Sequence, residues 1–111
     1  MPRRIGRILK QTMRKYRTHE SYLIESLKDP NEAALYLTAA AEENDPAFLL
    51  VALADVAKAH GVTRMSKRVS LSRMGIYKTL SKKGNPEFKT FWAILKASGL
   101  QLAFKPLQQA A

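Results

Sequence analysis

Arg73, Tyr77 and Lys78 fall close together, with Arg64, Lys67, Arg68, Lys82, Lys83 and Lys89 on either side. A guanidinium offers a rigid fork of donors that matches the O6 and N7 acceptors of guanine. An ammonium reaches a guanine or a phosphate oxygen, and a phenol suits a phosphate. Cations at this density also neutralise several phosphates, which is the sequence-independent part of nucleic-acid affinity. The chemistry is that of recognition rather than bond-making. No catalytic constellation stands beside it: His19 and His60 are the only histidines and there is no cysteine. The two histidines therefore have no thiolate partners for a metal, and His60 reads as a helix C-terminal residue facing the dipole. Glu42 and Glu43 are adjacent and point to different sides of a helix, and no glycine-rich phosphate loop is present. The expectation is a protein that is not an enzyme and takes no cofactor or metal.

Side chains that read a groove must be held by a rigid support, and the stretch 62–80 supplies a pattern for one. Thr63 and Ser72 are placed to cap two short helices, the first through about Val69 and the second through about Lys82. Val69, Ser70 and Leu71 form the turn between them. Met65, Val69, Leu71, Ile76 and Leu80 supply buried positions, and the small Ser66 sits where the helices must approach. This is the pattern of a helix-turn-helix, whose second helix enters the major groove by its N-terminal end. Its exposed side chains are then Arg73, Met74, Tyr77 and Lys78, with the Ser72 hydroxyl against a phosphate. A helical hairpin with solvated cations fits the same residues. Ser70 stands where the turn usually has glycine, so it must tolerate a left-handed conformation. Gly75 within the second helix costs about 1 kcal/mol relative to alanine.

The rest of the chain reads as further helices. Asp29-Pro30 and Asp45-Pro46 are start signals, an acceptor for free amides followed by a residue that needs no amide partner. Asp29 and Glu32 have capping-box spacing, and their helix runs to about Glu43 with Ala33, Leu37, Ala40 and Ala41 inward. The next helix spans about Pro46 to His60, stops at Gly61, and carries Phe48, Leu49, Ala52, Leu53, Val56 and Ala57 as an apolar stripe. Gly84-Asn85-Pro86 is a turn. A last helix from about Phe88 to Gly99 turns Phe88, Phe91, Trp92 and Leu95 inward, and Leu100 to Phe104 alternates as a short edge strand.

The 111 residues allow one compact domain, read as 20–107 between a basic arm, 1–19, and a tail, 108–111. The longest unbroken apolar run, Ala47 to Ala54, is far short of the roughly 20 residues of a membrane span. The formal charge of +10 is unevenly spread: residues 1–19 hold seven basic groups and no acid, residues 20–55 have a net of −7, and residues 56–111 a net of +10. Two basic ends around an acidic middle suggest two surfaces with different partners, although a solvated acidic face has the same pattern. The arm could be flexible or form an amphipathic helix through Ile5, Ile8, Leu9, Met13 and Tyr16. A DNA-contacting arm, a membrane-surface helix and a transit peptide share that composition.

The runs Tyr36-Leu37-Thr-Ala-Ala-Ala-Glu-Glu-Asn-Asp45-Pro46, Leu53-Ala-Asp-Val-Ala-Lys-Ala-His-Gly61, Leu71-Ser-Arg-Met-Gly-Ile-Tyr-Lys-Thr-Leu80 and Gly84-Asn-Pro-Glu-Phe88 resemble, in this order, the addiction-module antidote proteins. These are antitoxins akin to the HigA type, with an Xre/lambda-repressor-like helix-turn-helix. The resemblance covers roughly residues 20–105, and the basic arm falls outside it. It implies an all-α, lambda-repressor-like five-helix DNA-binding fold in the bacterial cytoplasm. It also implies a small basic toxin partner of the RelE/HigB type and repression of the shared promoter. The positions it assigns to DNA are Thr63, Ser72, Arg73, Met74, Tyr77 and Lys78, and the cations Arg64, Lys67 and Lys82 join them. Glu32, Tyr36, Glu42 and Glu43 in the acidic block are the candidate toxin surface, since complementary charge selects partners. A homodimer reading a palindrome would pair through the last helix and Leu100 to Leu107, with no membrane involved. A stand-alone Xre-type regulator and a non-specific nucleic-acid-binding protein are the alternatives.

Overall fold

The computed structural model describes residues 20–108; the basic head 1–19, with every reading made on it, and residues 109–111 lie outside the described residues. Six helices follow in order: α1 (Glu20–Ser26), α2 (Pro30–Ala41), α3 (Pro46–His60), α4 (Val62–Val69), α5 (Arg73–Thr79) and α6 (Phe88–Ala97). The fold is all-α, and no strand occurs among the described residues. The sequence reading did not anticipate α1. Its signal is the short apolar run Leu23, Ile24 and Leu27: Leu27 is buried just beyond the helix, and the other two pack against the core.

The two Asp-Pro signals work as local chemistry dictates. Asp29 Oδ1 accepts from the Asn31 amide at 2.9 Å and Asp45 Oδ1 from Ala47 at 3.1 Å, with proline at the next position in each case. The capping box does not close, because the Asp29 amide donates instead to the Ser26 carbonyl and Glu32 remains exposed. Ala33, Ala40 and Ala52 have no exposed surface, and Leu53 and Val56 are equally buried, so α2 and α3 meet through small residues. Ala41, expected inward, faces solvent. One polar link crosses this interface: the Tyr36 hydroxyl donates to Asp55 Oδ2 at 2.8 Å. Burial holds the phenol far above its ordinary pKa and also raises the Asp55 carboxyl, which the Tyr36 hydrogen bond partly lowers again.

Gly61 ends α3 and starts α4 with φ 91°, a conformation that a side chain would strain, and the two helices meet at a bend of 105°. Because Gly61 is the N-cap, Thr63 lies inside the first turn of α4 rather than capping it. Ser70 adopts the left-handed conformation (φ 59°, ψ 38°) that the turn requires, and the Leu71 amide closes back onto the Ser66 carbonyl at 3.3 Å. Ser72 caps α5, its Oγ accepting from the Gly75 amide at 2.9 Å. The helix stops at Thr79, short of Lys82, where Gly84 turns back so tightly that a Cβ there would overlap the Thr79 carbonyl.

Two expectations for the C-terminal part fail. On α6, Ile94 and Leu95 are buried and Phe91 partly so, whereas Phe88 and Trp92 are 65% and 42% exposed. The helix is apolar on more than one side, and the core accepts only the Ile94 side. Residues 100–107 form no strand, since no other strand among the described residues offers a ladder. The tail is held by Leu100 and Leu102 against the core and by Lys105, whose Nζ is 3.3 Å from Glu42 Oε2.

Ser70→Gly is expected to be neutral or to stabilise by up to about 1 kcal/mol, and Ser70→Val to cost about 1–2 kcal/mol, because only the second conflicts with a left-handed backbone. Urea unfolding measures both, and a stabilising valine would contradict the turn geometry. Tyr36→Phe is expected to cost about 1–3 kcal/mol and to move the Asp55 pKa further up, as seen by carboxyl NMR. An unmoved Asp55 would mean the bond is absent.

Candidate nucleic-acid interface

The outward face of α5 is decided from beneath. Ile76 and Leu80 are each 1% exposed and lie one turn apart, so they pin the helix in a single rotation. Arg73, Met74, Tyr77 and Lys78 are consequently all exposed, with Met74 82% and Tyr77 40% accessible. Ser72 shares this surface; its oxygen is engaged by the cap, while the hydroxyl hydrogen is still available to an acceptor. A Cβ on Gly75 would stand 3.1 Å from Ser72 Oγ, so glycine here keeps the cap unhindered.

Thr63, Arg64 and Lys67 are exposed on α4, and Lys82 is exposed in the turn after α5. Among the described residues, no acidic side chain pairs with Arg64, Lys67, Arg68, Arg73, Lys78 or Lys82. Cations left unneutralised around an exposed helix are what a polyanion requires. The sequence reading missed Lys58. It belongs to α3, yet its Nζ lies 5.8 Å from the Tyr77 ring centroid and 3.0 Å from Glu20 Oε1. The hydrogen bond to Glu20 is the main reason its pKa is raised. Nothing in its spacing from Tyr77 could have shown this, because the contact joins separate helices.

The acidic candidates divide. Glu32 is exposed at the start of α2, beside Leu35 at 67% exposure. Glu42 is half-buried and bound by Lys105, and Glu43 is partly buried. Tyr36 is a correction: it is 7% exposed, with its hydroxyl held by Asp55, and so belongs to the core rather than to a docking surface.

His60 also differs from expectation. Burial is the main cause lowering its pKa, followed by the charges of Arg64 and Arg68. It is therefore neutral near pH 7 and does not act as a cation toward the end of α3.

The profile of the family described as "Probable addiction module antidote protein" matches residues 18–106, which takes in α1 to α6 and the tail as far as Pro106. This chain belongs to that family. It is also 38% identical over 77 residues to a protein of Haemophilus influenzae described as "Uncharacterized protein", covering 69% of this chain and 79% of the relative. No solved structure gives a significant match. The family assignment of this antidote chain thus rests on the whole helical unit rather than on one motif.

Since the folded His60 pKa lies below its unfolded value, the unfolded chain takes up the proton first as pH falls. Stability is expected to drop on acidification below about pH 6.5, ahead of most carboxylates, and His60→Gln to flatten that slope. Thermal unfolding between pH 7.5 and 5.5 measures it; identical slopes for the two proteins would contradict a depressed His60.

Proposed function

We propose that this antidote protein is the antitoxin of a type II toxin–antitoxin module in the bacterial cytoplasm. It binds and neutralises a small basic toxin of the RelE/HigB type, and it represses its own operon by sequence-specific binding to double-stranded DNA. The observation that carries the DNA half is the face of α5. A helix pinned by Ile76 and Leu80 leaves Arg73, Met74, Tyr77 and Lys78 outward, amid cations without acidic partners among the described residues. In this reading α4, the Ser70 turn and α5 form a helix-turn-helix of the Xre type, with α5 in the major groove. Arg73 forks onto guanine, Met74 meets an apolar base edge such as a thymine methyl, and Lys78 reaches a guanine or a phosphate. Thr63, Ser72, Tyr77, Arg64, Lys67 and Lys82 contact the backbone.

Two copies would read two half-sites about 34 Å apart. The outward side of α6 suits the contact between them. Phe88 and Trp92 pack with ring centroids 5.8 Å apart, Lys96 lies 5.2 Å from the Trp92 centroid, and Phe104 and Leu107 in the tail are largely exposed. The toxin would dock on the acidic side, through Glu32 with Leu35 and through Glu42 and Glu43. Opposite charge then steers encounter with a basic partner.

Arg73→Ala is expected to cost about 1–3 kcal/mol on the operator and to relax base preference at one position. Lys82→Ala should weaken all duplexes alike and reduce the salt slope by about one. Binding to operator and random duplexes at several salt concentrations tests both. Equal losses on the two duplexes for Arg73→Ala would remove the base-reading role. Charge reversal at Glu32 and Glu43 is expected to weaken capture of the toxin encoded beside this chain while leaving DNA binding intact; unchanged capture would mean a merely solvated acidic face.

A further inference from the structure

His60 Nε2 is buried and has no hydrogen-bond partner among the described residues. Such an atom is uncommon in a folded protein and calls for a further partner, a water or a ligand. His60 lines a pocket of about 70 Å³ with Arg64, Met65, Arg68 and Ala97, ample for more than one water. A broader groove adjoins it, running past Gly61 to Lys28, Lys58 and Ile24, with His60 and Arg64 common to both. Met65 and Ala97 offer no polar side-chain atom, so the polar lining from side chains is one imidazole and two guanidinium groups. Guanidinium groups only donate, and neither has an acidic partner among the described residues. The occupant that such a lining favours accepts several hydrogen bonds and carries negative charge. Two arginines repel a metal ion, and a neutral amide or alcohol leaves their charge unanswered.

We propose that the His60, Arg64 and Arg68 pocket is a binding site for a phosphate group. Arg64 and Arg68 stand one turn apart on α4 and close on the group from one side, and His60, donating through Nε2–H, meets it from the end of α3. The groove lining adds two more basic groups, each already paired with a carboxylate. Lys28 and Lys58 lie along the groove, held by Glu25 at 2.8 Å and Glu20 at 3.0 Å respectively, and α6 contributes no charge to the lining. Without an anion, burial first and then the charges of Arg64 and Arg68 hold the His60 pKa down; a bound phosphate offsets the arginine field and favours the protonated imidazole. The site does not depend on α5 reading bases. Its phosphate can be a free one or one of a nucleic-acid backbone, and the chemistry at the pocket is the same.

The test follows the His60 imidazole resonances by NMR in the full-length protein, first with inorganic phosphate at constant ionic strength and then with duplex DNA. The expected result is a saturable shift and a His60 pKa raised by about one unit or more. Both effects should be lost in the doubly substituted Arg64→Gln, Arg68→Gln protein, in which two exposed side chains change and the amide spectrum reports the retained fold. Movement with phosphate identifies a free ligand; movement with duplex alone identifies a backbone phosphate. A His60 that responds to neither overturns the site, as does a response that survives loss of both arginines. Persisting operator binding beside an unresponsive His60 would remove this pocket and leave the reading of α5 standing.

Discussion

The structure depends on how a seven-residue helix is held. Isolated, α5 is far too short to be stable in water. Its rotation and existence come from Ile76 and Leu80, buried against the rest of the core, and from Ser72, which supplies the hydrogen bond its first turn lacks. The preceding turn fixes its direction, with Ser70 held in a left-handed conformation. Everything exposed on α5 is exposed because those four residues leave no other arrangement. An element anchored this firmly can offer side chains to a groove without first having to order itself.

Charge is arranged on the same frame. The acids concentrate in α1, α2 and their flanks, and several are paired with the chain's own lysines: Glu20 with Lys58, Glu25 with Lys28, Glu42 with Lys105. Exposed pairs of this kind add little stability, but they remove charge locally. Among the described residues, the arginines and lysines of α4 and α5 have no such partners. Among the described residues, positive charge without an acidic partner is consequently gathered around α4 and α5. The pocket beneath His60 lies at the edge of that same field.

What was legible in the sequence was local. Asp29, Asp45 and Ser72 announce helix starts because each side chain acts on its own backbone within three residues, and Gly61 announces a stop for the same reason. The α3 stripe was readable because its apolar residues run almost unbroken from Ala47 to Ala59, interrupted by Asp55 and Lys58, between an Asp-Pro start and a glycine stop. The misreadings involve partners distant in sequence. Tyr36 looked like a surface aromatic until Asp55, nineteen residues on, proved to hold its hydroxyl. Phe88 and Trp92 looked like core because α6 is apolar on more than one side, and only the packed fold selects Ile94 and Leu95. A strand at 100–104 needed a neighbouring strand, and none occurs among the described residues. The spacing of His60, Arg64 and Arg68 carried no message either, since Gly61 breaks the helix between the first and the others.

The claim that most needs testing is that α5 is the element entering the DNA groove. The direct measurement is the perturbation of backbone amide resonances in the full-length protein on titration with its own promoter duplex. The largest changes are expected from Ser72 to Lys78, with smaller ones at Thr63 and Lys67. Changes centred on α2 or α6, with α5 unmoved, would contradict it.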